Sequence, residues 1–152
     1  MPATVGQPAP DFSLRDHNGN TVSLADLKGQ KALIVFIPFP NTGICDSEAC
    51  ALRDDYSSLG ELGAKVVIIT THASPNNKAW AEKNEIQFPI LSDYWPHGAV
   101  AQAYGNFNDT LGVAMRASYV LDENGIVREI IQSPELRQAR EHSEYARALA
   151  AV

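Results

Sequence analysis

The sequence has little cysteine, no long apolar run and no cluster of basic residues, and each absence excludes a class of protein. Only 2 of its 152 residues are cysteines, too few for a framework of disulfides. The longest apolar run, Ala32 to Phe39, is far shorter than the roughly 20 residues of a membrane-spanning helix, so we expect no membrane partner. The 12 basic and 18 acidic residues give a net charge of −6. Without a Lys/Arg patch we expect no nucleic-acid partner.

Length and N-terminus predict one cytoplasmic domain. A chain of this size suits a single domain, residues 1–152, with its own core. The opening residues MPATVGQPAP carry neither the basic nor the apolar region of a secretory signal. In a cytoplasmic chain, closely spaced cysteines are more often catalytic or metal-binding than structural.

The order of apolar patterns predicts an α/β fold. Apolar residues recur at helical spacing from Cys45 through Tyr56 to Leu59, which indicates one face of a helix. Ser74 and Pro75 are typical of an N-cap and a first-turn proline. Strands are predicted at 12–14, 21–23, 31–39, 64–70, 88–91 and, as a pair, within 117–132; helices at 45–59, 74–84, 97–105 and 135–150. This order is typical of a thioredoxin-like fold, with a mixed central β-sheet flanked by helices.

Both cysteines lie in one stretch, PFPNTGICDSEAC, at positions 45 and 50. Cys45 follows a strand and opens a helix, where unpaired N–H groups and the positive end of the dipole favour a thiolate. Thr42 can direct a hydroxyl at the same space, and Pro38 restricts the backbone beside it. The position therefore suits a reactive nucleophile. A buried cysteine that acts as a small hydrophobic residue fits it equally well.

Two other uses of the cysteines fit the spacing poorly. A zinc site needs four ligands at recognisable spacing. The histidines, at positions 17, 72, 97 and 142, show no pairing with the cysteines, so we expect no metal. A dithiol reductase of the thioredoxin type would carry Cys-x-x-Cys, whereas four residues separate the two cysteines here.

The cysteine stretch resembles the signature of the peroxiredoxin family. Pro38, Thr42 and Cys45 carry the pattern P-x-x-x-T-x-x-C, Glu48 matches the glutamate that follows it, and RASYVLD, which begins at Arg116, is similar to the second family motif. The resemblance extends over nearly the whole chain. The segment FPILSDYWPHGAVAQAYG is especially similar to the actinobacterial alkyl hydroperoxide reductase E group. The resemblance implies a thioredoxin-like, thiol-dependent peroxidase that needs no metal or organic cofactor.

The same resemblance implies a role for each motif residue. Cys45 would be the peroxidatic thiolate that attacks a peroxide oxygen and becomes a sulfenic acid. Thr42 would hydrogen-bond the peroxide, and Pro38 would shield the sulfenic acid. Arg116 would lie near the sulfur, favour its charged form and stabilise the departing oxygen. Glu48 would orient these hydrogen bonds through Arg116.

Cys50 departs from the reductase E pattern, which typically has a single cysteine. The Cys-x4-Cys pair is typical instead of Q-type peroxiredoxins, in which the second thiol resolves the sulfenic acid. In an intact helix the Cα atoms of Cys45 and Cys50 would lie roughly 8.6 Å apart. A disulfide needs less than about 7 Å, so the first turns would have to unwind. The alternative is a bystander Cys50, with an outside thiol resolving Cys45.

The resemblance also implies partners. Hydrogen peroxide or organic hydroperoxides would be the substrates, and a homodimer is expected, with residues 93–98 near its interface. Thioredoxin would suit the cysteine pair, which is typical of Q-type peroxiredoxins, as reductant. A mycoredoxin with mycothiol would suit the rest of the chain, which is similar to the reductase E group. A peroxide sensor that passes its oxidation to a partner protein would use the same sulfenic acid, and turnover with a reductant separates the two functions.

Overall fold

A computed structural model describes residues 2–133, 135–136 and 138–152. The helices are α1 (Leu24–Leu27), α2 (Gly43–Asp54), α3 (Tyr56–Glu61), α4 (Ser74–Lys83), α5 (Ala99–Tyr104) and α6 (Ser143–Ala150). The strands are β1 (Ser13–Asp16), β2 (Thr21–Ser23), β3 (Lys31–Phe36), β4 (Ala64–Thr70), β5 (Ile90–Ser92), β6 (Phe107–Asn108), β7 (Val113–Ala114), β8 (Ala117–Leu121) and β9 (Val127–Gln132).

Seven strands form one mixed sheet in the order β2-β1-β5-β4-β3-β8-β9. Strands β3, β4 and β5 run parallel, because α2, α3 and α4 carry the chain back between them. The pairs β3–β8, β8–β9, β1–β5 and β1–β2 are antiparallel. The mixed central sheet expected of a thioredoxin-like α/β fold is confirmed.

The central strand β3 separates two hydrophobic cores. Its side chains alternate between the faces of the sheet, so Ile34 and Phe36 join one core while Leu33 and Val35 join the other. Buried residues of α1 and α5 belong to the first core; those of α2, α4 and α6 belong to the second. Cys45 lies in the second core, at the end of α2 that follows β3.

Three predictions about helices need correction. The helix predicted from Cys45 to Leu59 is divided into α2 and α3 at Asp55. Tyr56 is 41% exposed and covers the core from outside, with its ring stacked on that of buried Phe88 at 5.1 Å. Ser74 is the first residue of α4, whose N-cap is Ala73.

The third correction concerns the C-terminal helix, predicted from Glu135 to Ala150. It begins only at Ser143, and Arg137, within the predicted span, lies outside the described residues. Arg140, before the helix, is buried and hydrogen-bonds to Glu48 through both backbone and side chain. Among the residues described, no helix is both long and apolar enough to cross a membrane.

Candidate active site

The peroxiredoxin-like motif forms a tight loop and helix start at the end of β3. Pro38 is buried directly after the strand, and Thr42 is the N-cap of α2 in an extended conformation. Cys45 is the third residue of α2, within the turn whose N–H groups have no partner inside the helix. The sequence pattern thus places the Cys45 sulfur at the positive end of a helix dipole.

The Cys45 sulfur receives a backbone hydrogen bond. The side chain of Cys45 is fully buried, and the N–H of Phe39 donates to its Sγ at 3.3 Å. A donor directed at sulfur stabilises negative charge there. Because Pro38 and Pro40 flank Phe39, the backbone that carries this N–H has little freedom to turn away.

Thr42 lies on the solvent side of the same turn. It is exposed and lies three positions before the buried Cys45. Its hydroxyl donates to the carbonyl of Phe39 at 2.6 Å. The Thr42 oxygen is thus held over the residue that contacts the sulfur and keeps lone pairs free to accept.

Glu48 joins Arg116 and Arg140 in a buried ionic cluster. Its Oε1 accepts from Arg116 Nη1 at 2.5 Å and from Arg140 Nη2 at 2.9 Å; its Oε2 accepts from both Nε and the backbone N–H of Arg140 at 2.9 Å. Burial alone would raise the pKa of Glu48, but the hydrogen bonds and charge of Arg140, together with Arg116, hold it below the ordinary value. Glu48 therefore remains a carboxylate and fixes both guanidinium groups.

Arg140 is a site residue that the sequence did not reveal. Its side chain is fully buried and also donates to the carbonyl of Phe36 and the hydroxyl of Ser118. Burial alone would lower its pKa, but Tyr145, Glu48 and Cys45 raise it above the ordinary value. Arg140 thus brings a permanent positive charge within electrostatic reach of Cys45. No motif surrounds it, and 92 residues separate it from Glu48 along the chain.

The contacts place the predicted site residues in two groups: Cys45 and Thr42 both bond to the backbone of Phe39, and Glu48 pairs with Arg116. Arg116 is anchored by Glu48 and by the carbonyl of Leu136, at 2.6 Å. Cys50 is half-buried, and its Sγ donates to Asn84 Oδ1 at 3.5 Å. Both cysteines are free and lie in the same unbroken helix.

The family model for AhpC/TSA proteins matches residues 5–130, well over half of the chain. The chain belongs to the AhpC/TSA family. Alkyl hydroperoxide reductase E of Mycobacterium tuberculosis is 43% identical to it over 150 residues, which cover 97% of this chain and 98% of that protein. The chloroplastic peroxiredoxin Q of Arabidopsis thaliana is 38% identical over 126 residues, 82% of this chain and 57% of that protein.

Solved AhpC/TSA-like structures agree with the fold. Enterococcus faecalis AhpC has a TM-score of 0.89 and 26% identity, over 98% of this chain and 92% of that one. Peroxidoxin BcpB of Mycobacterium tuberculosis has a TM-score of 0.88 and 28% identity, over 99% and 98%. The expected resemblance to peroxiredoxins is confirmed, and this member of the AhpC/TSA family is a thiol-dependent peroxidase.

Proposed function

We propose that the peroxidase reaction takes place at Cys45 and that hydrogen peroxide and small organic hydroperoxides are its substrates. The observation that carries this is the hydrogen bond from the Phe39 N–H to the Cys45 sulfur at 3.3 Å, at a helix N-terminus. The thiolate attacks one peroxide oxygen, the O–O bond breaks, and the departing oxygen takes a proton. The products are Cys45 sulfenic acid and water or an alcohol.

The surrounding groups act by position and charge. Thr42, exposed at the helix start, accepts a hydrogen bond from the entering hydroperoxide and holds it in line with the sulfur. Arg116 stabilises charge on the departing oxygen, and Glu48 holds its guanidinium at 2.5 Å. Pro38, buried beside Phe39, limits the space around the sulfenic acid.

Cys50 resolves the sulfenic acid in this proposal. Its thiol attacks the Cys45 sulfur, a disulfide forms and water leaves. Cys50 is half-buried and lies five residues along the same helix, which therefore unwinds locally for the sulfurs to meet. A relative named peroxiredoxin Q supports this route. A thioredoxin-type dithiol then reduces the disulfide.

A one-cysteine cycle is the second candidate, favoured by the higher identity to alkyl hydroperoxide reductase E. There an external thiol of the mycothiol or mycoredoxin type would attack the Cys45 sulfenic acid directly. A peroxide-sensing relay would likewise pass the oxidation to a partner protein.

We further propose that the chain forms a homodimer through the segment 93–98 and its surroundings. The indole of Trp95 is 81% exposed, and Tyr94 and Leu111 are each 53% exposed. Single exposed apolar side chains are common, but a patch of several large ones marks a protein–protein interaction site. Replacing Trp95 by arginine should convert a dimer to a monomer in analytical ultracentrifugation. A wild-type chain that sediments as a monomer would contradict this proposal.

Peroxide consumption tests the enzymatic proposal. Wild-type protein should consume hydrogen peroxide repeatedly with a thioredoxin system, Cys45→Ser should be inactive, and Cys50→Ser should complete one turnover and then stop. Full cycling by Cys50→Ser with the same dithiol would contradict the resolving role of Cys50 and favour the one-cysteine cycle. Fast oxidation of the wild type with poor cycling under every reductant would favour the sensor.

A further inference from the structure

Residues at the C-terminal end of α4 are hydrogen-bonded to the segment 41–53. This segment contains both cysteines and must unwind for the proposed disulfide to form. Four hydrogen bonds connect the two in the order of the chain: Lys83 Nζ to Asn41 Oδ1 at 2.6 Å, Trp80 Nε1 to Asp46 Oδ1 at 2.7 Å, Cys50 Sγ to Asn84 Oδ1 at 3.5 Å, and Arg53 Nη1 to the Asn84 carbonyl at 2.7 Å. They extend from the loop before Cys45 to the turn after Cys50. We call Trp80, Lys83 and Asn84 the α4 latch.

Two members of the α4 latch are anchored by contacts of their own. Trp80 is 3% exposed and belongs to the same hydrophobic core as Cys45. Asn84 is the C-cap of α4, and both its backbone N–H and its side-chain Nδ2 donate to the Trp80 carbonyl, at 3.1 and 3.0 Å. Trp80 and Asn84 are therefore held by α4 and the core as well as by their bonds to α2.

The held segment is fixed at two points before and within the first turn of α2. Asn41 has a φ of 67°, in the left-handed region that asparagine occupies more readily than most residues, and its side chain accepts from Lys83. Asp46, in the first turn of α2, is fixed by the Trp80 indole. Once these bonds open, fewer contacts hold the segment, and the first turns of α2 unwind more easily.

We propose that the α4 latch sets the timing between peroxide reduction and disulfide formation, with Trp80 and Lys83 as positioning residues. The inference rests on the proposed resolution of Cys45 by Cys50. While the latch is closed, α2 holds Cys45 beneath the Phe39 N–H, in the arrangement that reacts with peroxide. When it opens, Cys50 reaches the sulfenic acid, the S–S bond forms, and water leaves with the hydroxyl of Cys45 and the proton of Cys50. A weaker latch shortens the life of the sulfenic acid and lowers its further oxidation to sulfinic acid.

Trp80→Phe tests the latch, because phenylalanine keeps an aromatic ring in the core but cannot donate to Asp46. Losing a hydrogen bond to a carboxylate should increase the rate of Cys45–Cys50 disulfide formation about tenfold. Rapid quenching with an alkylating reagent, followed by mass spectrometry, measures this rate and the sulfinic acid yield at high peroxide. The control is Lys78→Met, at an exposed lysine of α4 outside the latch.

Amide hydrogen exchange of peptides within 43–54, measured on the reduced protein, examines the latch separately from any oxidation chemistry. Exchange should be faster in Trp80→Phe and unchanged in Lys78→Met. If Trp80→Phe fails to fold, Lys83→Met serves instead. It removes only the exposed contact to Asn41 and should raise the disulfide rate about threefold.

Unchanged exchange in 43–54, or faster exchange with an unchanged disulfide rate, would overturn the inference. A wild-type protein that forms no Cys45–Cys50 disulfide after peroxide treatment would refute the proposed resolving route, and the timing role would fall with it. The absence of this disulfide is detected in the wild type alone, before any latch variant is compared. Faster exchange together with faster disulfide formation and less sulfinic acid would support the latch.

Discussion

At the Cys45 sulfur, backbone groups supply much of the electrostatics. The Phe39 N–H and the start of α2 both direct positive charge at Sγ. In the proposed mechanism, the side chains of Thr42, Glu48 and Arg116 position the substrate and the charges around it. We therefore expect substitutions that leave the backbone intact to weaken the reaction with peroxide, whereas loss of the sulfur abolishes it.

The Thr42 hydroxyl gives the first prediction. Thr42→Val removes both the hydrogen bond to the Phe39 carbonyl, 2.6 Å long in the wild type, and the acceptor offered to the peroxide. The second-order rate constant for Cys45 oxidation should fall about 100-fold, as when one preorganised partner of a transition state is removed. Stopped-flow mixing with hydrogen peroxide measures it. Thr42→Ser keeps the hydroxyl and should stay within about threefold of the wild type; equal losses in both variants would contradict the role.

Local motif spacing identified Cys45, Thr42 and Glu48, because these residues act within one loop and two helical turns. Arg140 could not be predicted from the sequence, for a physical reason. Its partner Glu48 lies 92 residues earlier in the chain, and only the folded sheet brings the two together. The Phe39 N–H is a backbone group, which no residue type reveals. The roles in peroxide chemistry of all five motif residues remain predictions: Pro38, Thr42, Cys45, Glu48 and Arg116.

The proposed reaction cycle makes two conflicting demands on the conformation of helix α2. It must be wound to place Cys45 at its N-terminus, and it must unwind for the proposed disulfide with Cys50. Its intrinsic helix propensity between the two cysteines should therefore affect the second step more than the first.

Ser47 allows this conflict to be measured. It is exposed and lies between the cysteines. Alanine favours a helix over serine by roughly 0.5 kcal/mol, and glycine disfavours it by a similar amount. Disulfide formation should be about twofold slower in Ser47→Ala and about twofold faster in Ser47→Gly. Quenched-flow alkylation after one equivalent of peroxide measures the rate, and both variants should oxidise Cys45 as the wild type does. If both substitutions change the rate of disulfide formation in the same direction, or neither changes it, helix unwinding is contradicted.

Elements with strong periodicity were predictable from the sequence. The strand at Ala64–Thr70 was predicted with its observed bounds, because a continuous apolar run between turn residues has few alternatives. The C-terminal helix was predicted too long, since the charged stretch before Ser143 has helical propensity but its Arg140 is drawn into the ionic cluster. The short β6–β7 hairpin was missed altogether.

Across the whole molecule, the Glu48 cluster joins three distant parts of the chain. Glu48 comes from α2, Arg116 precedes β8, and Arg140 precedes α6. The cluster therefore contributes to global stability as well as to the site. Removing one partner leaves buried charges without compensation.

Glu48→Gln should lower the free energy of unfolding at pH 7 by about 3 to 5 kcal/mol. The pKa of Glu48 is lowered in the folded protein from its ordinary value of 4.5. Its stabilisation is thus complete above about pH 4.5 and is lost as the pH falls through the lower folded value. The gap between variant and wild type should narrow in acid. Urea unfolding at several pH values measures it, with Glu82→Gln, at an exposed glutamate, as control. A gap independent of pH would contradict the assignment.

The most direct test of the peroxidase account is a peptide map under non-reducing conditions. The protein is treated with one equivalent of hydrogen peroxide, blocked with a thiol reagent, unfolded and cleaved by a glutamate-specific protease. Cleavage after Glu48 separates Cys45 from Cys50, so a disulfide between them joins two peptides. We predict that the joined pair appears and that neither cysteine is blocked. Blocked Cys45 with peroxide still present would contradict the account.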